Sequence, residues 1–112
     1  MSLSEIEIVQ NYVALHNLGV RTGDYSQLMS LFTPDAEMVF EFGNLGTVRG
    51  TREISRAFRD HPPTDELVIG KQLSSGEVIL FEYAWHSAPT VRAGILAFAR
   101  SVDKIARLVI SP

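Results

Sequence analysis

Cysteine is absent from this chain of 112 residues, which removes disulfides, thiolate zinc sites and cysteine nucleophiles together. No apolar run reaches the roughly 18 residues needed to span a bilayer. Basic charge in excess is also missing. The net charge is −3, whereas nucleic acid binding needs a clustered basic surface. Arg52, Arg56 and Arg59 do share one helix face, but they read as a solvated face. The opening MSLSEIEI carries acids where a signal peptide carries positive charge, so a cytoplasmic protein is expected. Repeats, low-complexity tracts and linkers are lacking, and Pro62-Pro63 is too short to divide domains. A single domain over 1–112 is expected, with 46% hydrophobic residues to build its core without staples.

What is present is a clear order of elements. Ser4 and Glu7 form a capping box that starts a helix at Glu5, and Val9, Tyr12, Val13 and His16 then fall on one face. Gly19 is expected to end it. Asp24 with Gln27 gives a second cap, for a short helix that carries Leu28, Leu31 and Phe32 inward until Thr33-Pro34-Asp35 stops it. Ala36 to Phe42 alternates as a strand, with Met38, Phe40 and Phe42 on one face and Glu37, Val39 and Glu41 on the other. Gly43-Asn44-Leu45-Gly46 turns the chain into a short strand, and Gly50-Thr51 opens a third helix through Asp60. After His61-Pro62-Pro63-Thr64 the rest is strand: Glu66 to Leu73, Glu77 to Ser87, Val91 to Arg100 and Lys104 to Ile110. Their short connections demand an antiparallel meander. Helices first and a meander afterwards, with a strand between helices, is an α+β arrangement.

This order, together with several local patterns, resembles the nuclear-transport-factor-2-like superfamily, in its branch of SnoaL-like polyketide cyclases and ketosteroid isomerase relatives. The matching pieces are Val9-Gln10-Asn11-Tyr12-Val13, Leu31-Phe32-Thr33-Pro34-Asp35-Ala36, Arg49-Gly50-Thr51-Arg52-Glu53-Ile54, Gly94-Ile95-Leu96-Ala97-Phe98 and Lys104-Ile105. The resemblance implies a cone: a curled, mostly antiparallel sheet packed on three N-terminal helices, a pocket inside, and an outer sheet face that pairs with a second protomer. Ketosteroid isomerase works with an aspartate base and an oxyanion hole of tyrosine plus protonated aspartate. Matched by position, the tyrosine falls on Tyr12, the base on Phe40 and the protonated acid on Leu96. Ketosteroid isomerization is therefore not expected.

The strand Glu77 to Ser87 carries the sharpest question. Val78, Leu80, Glu82, Ala84 and His86 lie on one side, and Ile79, Phe81, Tyr83 and Trp85 on the other. Pattern alone buries the aromatic file and leaves Glu82 and His86 in water. The resemblance implies the reverse: the Glu82 face lines the cone, and Phe81, Tyr83 and Trp85 form a dimer interface. In that facing Glu82 lies across from Leu96 and His86 across from Arg92. The pocket is then lined by Met38, Phe40, Phe42, Phe58, Leu80, Ala84, Leu96 and Phe98. Desolvation there would raise the Glu82 pKa and make it a proton carrier, with Tyr12 stabilising an oxyanion and His16 or His86 assisting.

Each of these residues has a plainer structural role to weigh against this. Glu82 can pair with Arg92 or Arg100, Tyr12 can be a core residue, His16 can serve the helix C-terminus, and His61 looks structural. Histidines and acids lack metal-ligand spacing, and the glycines of GNLGTVRG do not follow a phosphate-loop or dinucleotide pattern, so neither metal nor cofactor is expected. Two functions stand open: a cofactor-free acid–base enzyme of cyclase, isomerase or dehydratase type acting on a small apolar carbonyl- or hydroxyl-bearing molecule, or a non-catalytic module that holds a small apolar ligand or dimerises. A third arrangement fills the cone with its own Met38, Phe40, Phe42 and Phe58.

Overall fold

The computed structural model describes residues 2–112. Helix α1 (Glu5–Thr22) begins at the capping box: the Ser4 hydroxyl accepts from the Glu7 N–H at 3.2 Å, and the Glu7 carboxylate accepts from the Ser4 N–H at 2.9 Å. The helix runs past Gly19 and stops at Gly23, whose φ of 79° is the left-handed conformation that glycine adopts without strain. Gly19 is a packing glycine instead of a stop, because the Tyr25 ring lies where its side chain would stand. Helix α2 (Ser26–Met29) is a single turn that buries Leu28. Asp24 does not cap it in the expected way; its carboxylate accepts from the Ser26 N–H at 2.9 Å.

Strand β1 (Phe32–Phe40) starts four residues earlier than its alternation suggested. Phe32 pairs with Ile105, and a register shift before Glu37 absorbs Pro34, which cannot donate to a ladder. The chain continues through β2 (Gly46–Arg49), α3 (Thr51–Asp60), β3 (Leu67–Ser74), β4 (Ile79–Trp85), β5 (Ala88–Ser101) and β6 (Lys104–Ser111). The six strands form one sheet in the order β2-β1-β6-β5-β4-β3, antiparallel except for β1 against β6. The sheet is curled but not closed, and α1 packs on it, giving the α+β cone. Among the described residues no helix is long and apolar enough to cross a membrane.

Register decides which side chains enter the cone. Ile79, Phe98, Leu108 and Met38 lie side by side across β4, β5, β6 and β1, all with no exposed surface. Phe81, Leu96, Ile110 and Phe40 form the next inner row. The row between them, Leu80, Ala97, Val109 and Val39, faces out. The expected facing of β4 is therefore corrected. Glu82 pairs with Ile95 and not Leu96, one residue away from the expected register, and that single step sends Glu82, Leu80 and Ala84 off the cavity and brings Phe81, Tyr83 and Trp85 inward. Bulges on both sides of Ala84 and a hairpin shorter than expected, with β5 already begun at Ala88, account for the slip.

Candidate functional site

Between the helices and the curled sheet lies a cavity of about 460 Å³. Its walls come from α1 (Tyr12, His16), α3 (Ala57, Phe58), and the inner faces of the sheet (Met38, Phe40, Leu67, Tyr83, Trp85, Leu96, Ile110). Phe42, Leu45 and the His61-Pro62-Pro63-Thr64-Asp65 segment surround its mouth together with Ser87. Of the residues expected to line a pocket, Met38, Phe40, Phe42, Phe58 and Leu96 border this cavity. They stand as walls and leave the interior open, so the self-filled arrangement does not occur. Phe98 was also expected but lies behind the wall, edge-on to Tyr12 with ring centroids 5.6 Å apart.

The four residues expected to carry chemistry separate into two pairs. Tyr12 and His16, one turn apart on α1, both line the cavity, with ring centroids 6.0 Å apart. Glu82 and His86 do not. The Glu82 carboxylate is outside the cone, 3.8 Å from the Arg92 guanidinium, and His86 is exposed just beyond β4. Glu82 therefore takes the ion-pair role and not the desolvated one.

His16 owes its state to its neighbour. The Asn17 side chain donates to the Leu67 carbonyl at 2.9 Å and accepts from the Leu67 N–H at 2.7 Å, which fixes its amide in one orientation. Its oxygen then stands 2.9 Å from His16 Nδ1. An amide oxygen only accepts, so Nδ1 carries the proton and, in the neutral ring, Nε2 is a bare acceptor. Burial favours that neutral ring and pushes the His16 pKa down, against smaller upward pulls from Asn17 and Glu66. Burial likewise pushes the Tyr12 phenol far above its ordinary range, reinforced by Tyr83 and Tyr25, so it remains a protonated donor. Neither the Tyr12 hydroxyl nor His16 Nε2 has a protein partner, and Thr33 Oγ1 is the one sealed side-chain atom without one among the described residues. Both groups therefore keep accessible surface, and the cavity is what they open on.

At the mouth Asp65 is tied down rather than free. Its carboxylate accepts from the Ser87 N–H at 3.0 Å and from the Glu66 N–H at 2.8 Å, and the Ser87 bonds above all hold its pKa low. Among the described residues no three His, Asp or Glu side chains converge as metal ligands do.

The buried His16 gives a pH dependence whose sign is fixed. An unfolded histidine titrates near pH ~6.5; the folded one titrates lower. Below about pH 6.5 the unfolded chain binds the extra proton first. Stability should fall as pH drops through that window and level off below the folded pKa. Urea unfolding at several pH values between 7 and 5 is expected to show this slope in the wild type and to show it reduced in His16→Gln.

The residues of the site differ in how far the sequence reveals them. Tyr83 and Trp85 were visible in the period-2 pattern, which buries the aromatic file. Leu67 and Asn17 come together across 50 positions of sequence, and the His61-Pro62-Pro63 mouth depends on where α3 delivers the chain. Neither leaves a local signal.

No family model matches the chain, and no curated protein sequence matches it. Solved structures do. An NTF2-like protein of unknown function from Cytophaga hutchinsonii superposes with a TM-score of 0.71 at 10% identity, covering 98% of this chain and 90% of that one. A protein from Sinorhizobium meliloti, provisionally named a polyketide cyclase, gives 0.69 at 21% identity over 94% of each chain. A computationally designed 17-OHP binder gives 0.73 at 11% identity, over 96% and 88%. The chain has the NTF2-like fold.

Proposed function

We propose that the protein binds a small, uncharged, mostly apolar molecule inside the cone. The composition of the cavity wall carries this reading: about 460 Å³ bounded by aromatic and aliphatic side chains, with no lysine or arginine among them. Ligand pockets span roughly 300–1,000 Å³ and combine an apolar lining with a few polar groups. An anion would lose its hydration there without a cation to compensate. The structural likeness to a designed 17-OHP binder and to a protein provisionally named a polyketide cyclase supports this reading.

Titration with N-phenyl-1-naphthylamine, a neutral probe that brightens in apolar surroundings, tests the reading. Saturable binding with a Kd on the order of micromolar is expected. Ala57→Trp should weaken it roughly ten- to hundredfold, because the indole occupies the ligand's space. Glu82→Gln, outside the cone, should leave it unchanged. Absence of saturable binding, or a folded Ala57→Trp protein that binds as the wild type does, overturns the reading.

One observation favours a second reading, acid–base catalysis of cyclase, isomerase or dehydratase type: a bare imidazole nitrogen and a phenol donor share the cavity wall. Turnover of a carbonyl or hydroxy compound that is lost in both His16→Gln and Tyr12→Phe would favour it.

Pairing of two copies through the outer sheet face belongs to the same proposal, with its residues corrected. The candidate surface is the row Val39, Val109, Ala97 and Leu80, flanked by Ile95, and not Phe81, Tyr83 and Trp85, which point inward. The charged pairs Glu37–Arg49, Glu37–Arg107 and Glu82–Arg92 flank it. A single large cation in that row, Ala97→Arg, should convert a dimer to a monomer in light scattering. A wild-type protein that is monomeric at high micromolar concentration refutes the pairing.

A further inference from the structure

We infer that the ligand presents a hydroxyl group, not a carbonyl, to the inner end of the cavity, and that its proton goes to Nε2 of His16. The inference rests on the binding reading above and narrows it to one chemical class: neutral alcohols or phenols on an apolar body.

Three residues in series, Leu67, Asn17 and His16, set the polarity of this wall. Leu67 is a backbone donor and acceptor with no choice of role, and it fixes the Asn17 amide through both of its groups. Asn17 therefore offers His16 an oxygen, at 2.9 Å from Nδ1, which assigns the ring proton to Nδ1. Nε2 is left as an acceptor beside the Tyr12 hydroxyl on the wall of a mostly apolar cavity, 4% exposure being all that the histidine has. Desolvation opposes the second proton that would turn Nε2 into a donor. An apolar ligand that displaces water from this wall without offering a hydrogen leaves that acceptor unpaired, and an unpaired buried acceptor is costly. A carbonyl oxygen satisfies the Tyr12 hydroxyl and leaves Nε2 bare. A hydroxyl answers both, since it donates to Nε2 while its oxygen accepts from Tyr12, whose ring lies 6.0 Å from that of His16. Carboxylic acids are disfavoured by the absence of a cation on the wall.

A pair of probes differing in one hydrogen-bonding hydrogen tests this. 2-Naphthol and 2-methoxynaphthalene share a ring system and an oxygen, but only the first can donate. Each is titrated against bound N-phenyl-1-naphthylamine on the wild-type protein. The ether is the more apolar, so simple partitioning ranks it first. The inference predicts the opposite order, with the naphthol roughly tenfold tighter. His16→Phe, whose fold is checked by circular dichroism, should bring the two within about twofold of each other; Tyr12→Phe should leave the naphthol preferred. Equal binding of the two probes by the wild type, or a preference that survives His16→Phe, overturns the inference while leaving the binding reading intact. Failure of the reporter to bind removes the binding reading, and this inference with it.

Discussion

Phe98→Ala is expected to cost about 3–5 kcal/mol of folding stability, with a melting temperature lower by well over 10 °C at roughly 4–8 °C per kcal/mol for a domain near this size. Phe98 has no exposed surface, stands between Ile79 and Leu108 in the inner row, and meets Tyr12 edge-on. Truncation removes an aromatic ring from the point where α1 sits on β5, and its rigid strand neighbours cannot collapse into the space. Urea unfolding measures the loss. A change below about 1 kcal/mol would mean that the helix and sheet re-close over the gap, contrary to the packing described.

Gly94→Ala should be nearly as damaging, at about 3 kcal/mol, although it adds one methyl group. A Cβ there would lie 2.9 Å from the Tyr83 ring and would run into the backbone carbonyl of Ser111. The ring is held edge-on to Trp85 at a centroid distance of 5.5 Å, and the carbonyl belongs to a paired strand, so neither obstacle gives way cheaply. Gly94 has no positive φ, so close approach and not backbone freedom requires it. Thermal unfolding distinguishes this from Gly76→Ala, which meets nothing within 4 Å and carries only the strain of a φ of 97°.

Local chemistry is legible in this sequence, whereas long-range strand register is not. Ser4 and Glu7 announce α1 because both halves of the capping box lie within one turn. The start of α3 at Gly50-Thr51 and the meander of β3 to β6 were equally legible. Gly19 misled because a glycine that admits a neighbouring ring and a glycine that ends a helix look alike in one dimension; Gly23, four residues on, is the true stop. The facing of β4 is the instructive case. Alternation alone placed Ile79, Phe81, Tyr83 and Trp85 inside, as they are, whereas matching to a family pattern placed Glu82 inside. A period-2 element turns every side chain over with one residue of slip, and two bulges flank Ala84. Hydrophobic burial, summed over four aromatic and aliphatic side chains, outweighs a positional match. Half of the candidate site, Tyr12 and His16, was readable from the helical period. Asn17, which sets the state of His16, was not, because its partner lies fifty positions away.

Asn17 has a consequence beyond the ring beside it. Strand β3 is one end of the sheet and carries unsatisfied edge positions, the kind of surface on which another chain can add as a further strand and seed fibrils. The Asn17 amide engages both the N–H and the carbonyl of Leu67 as the backbone of a seventh strand would, so one side chain occupies the place where such growth would begin. At the other end of the sheet β2 is four residues long, too short to recruit much. Both open edges of the sheet are thus guarded in part, one by a side chain and one by brevity, without closing the sheet into a barrel.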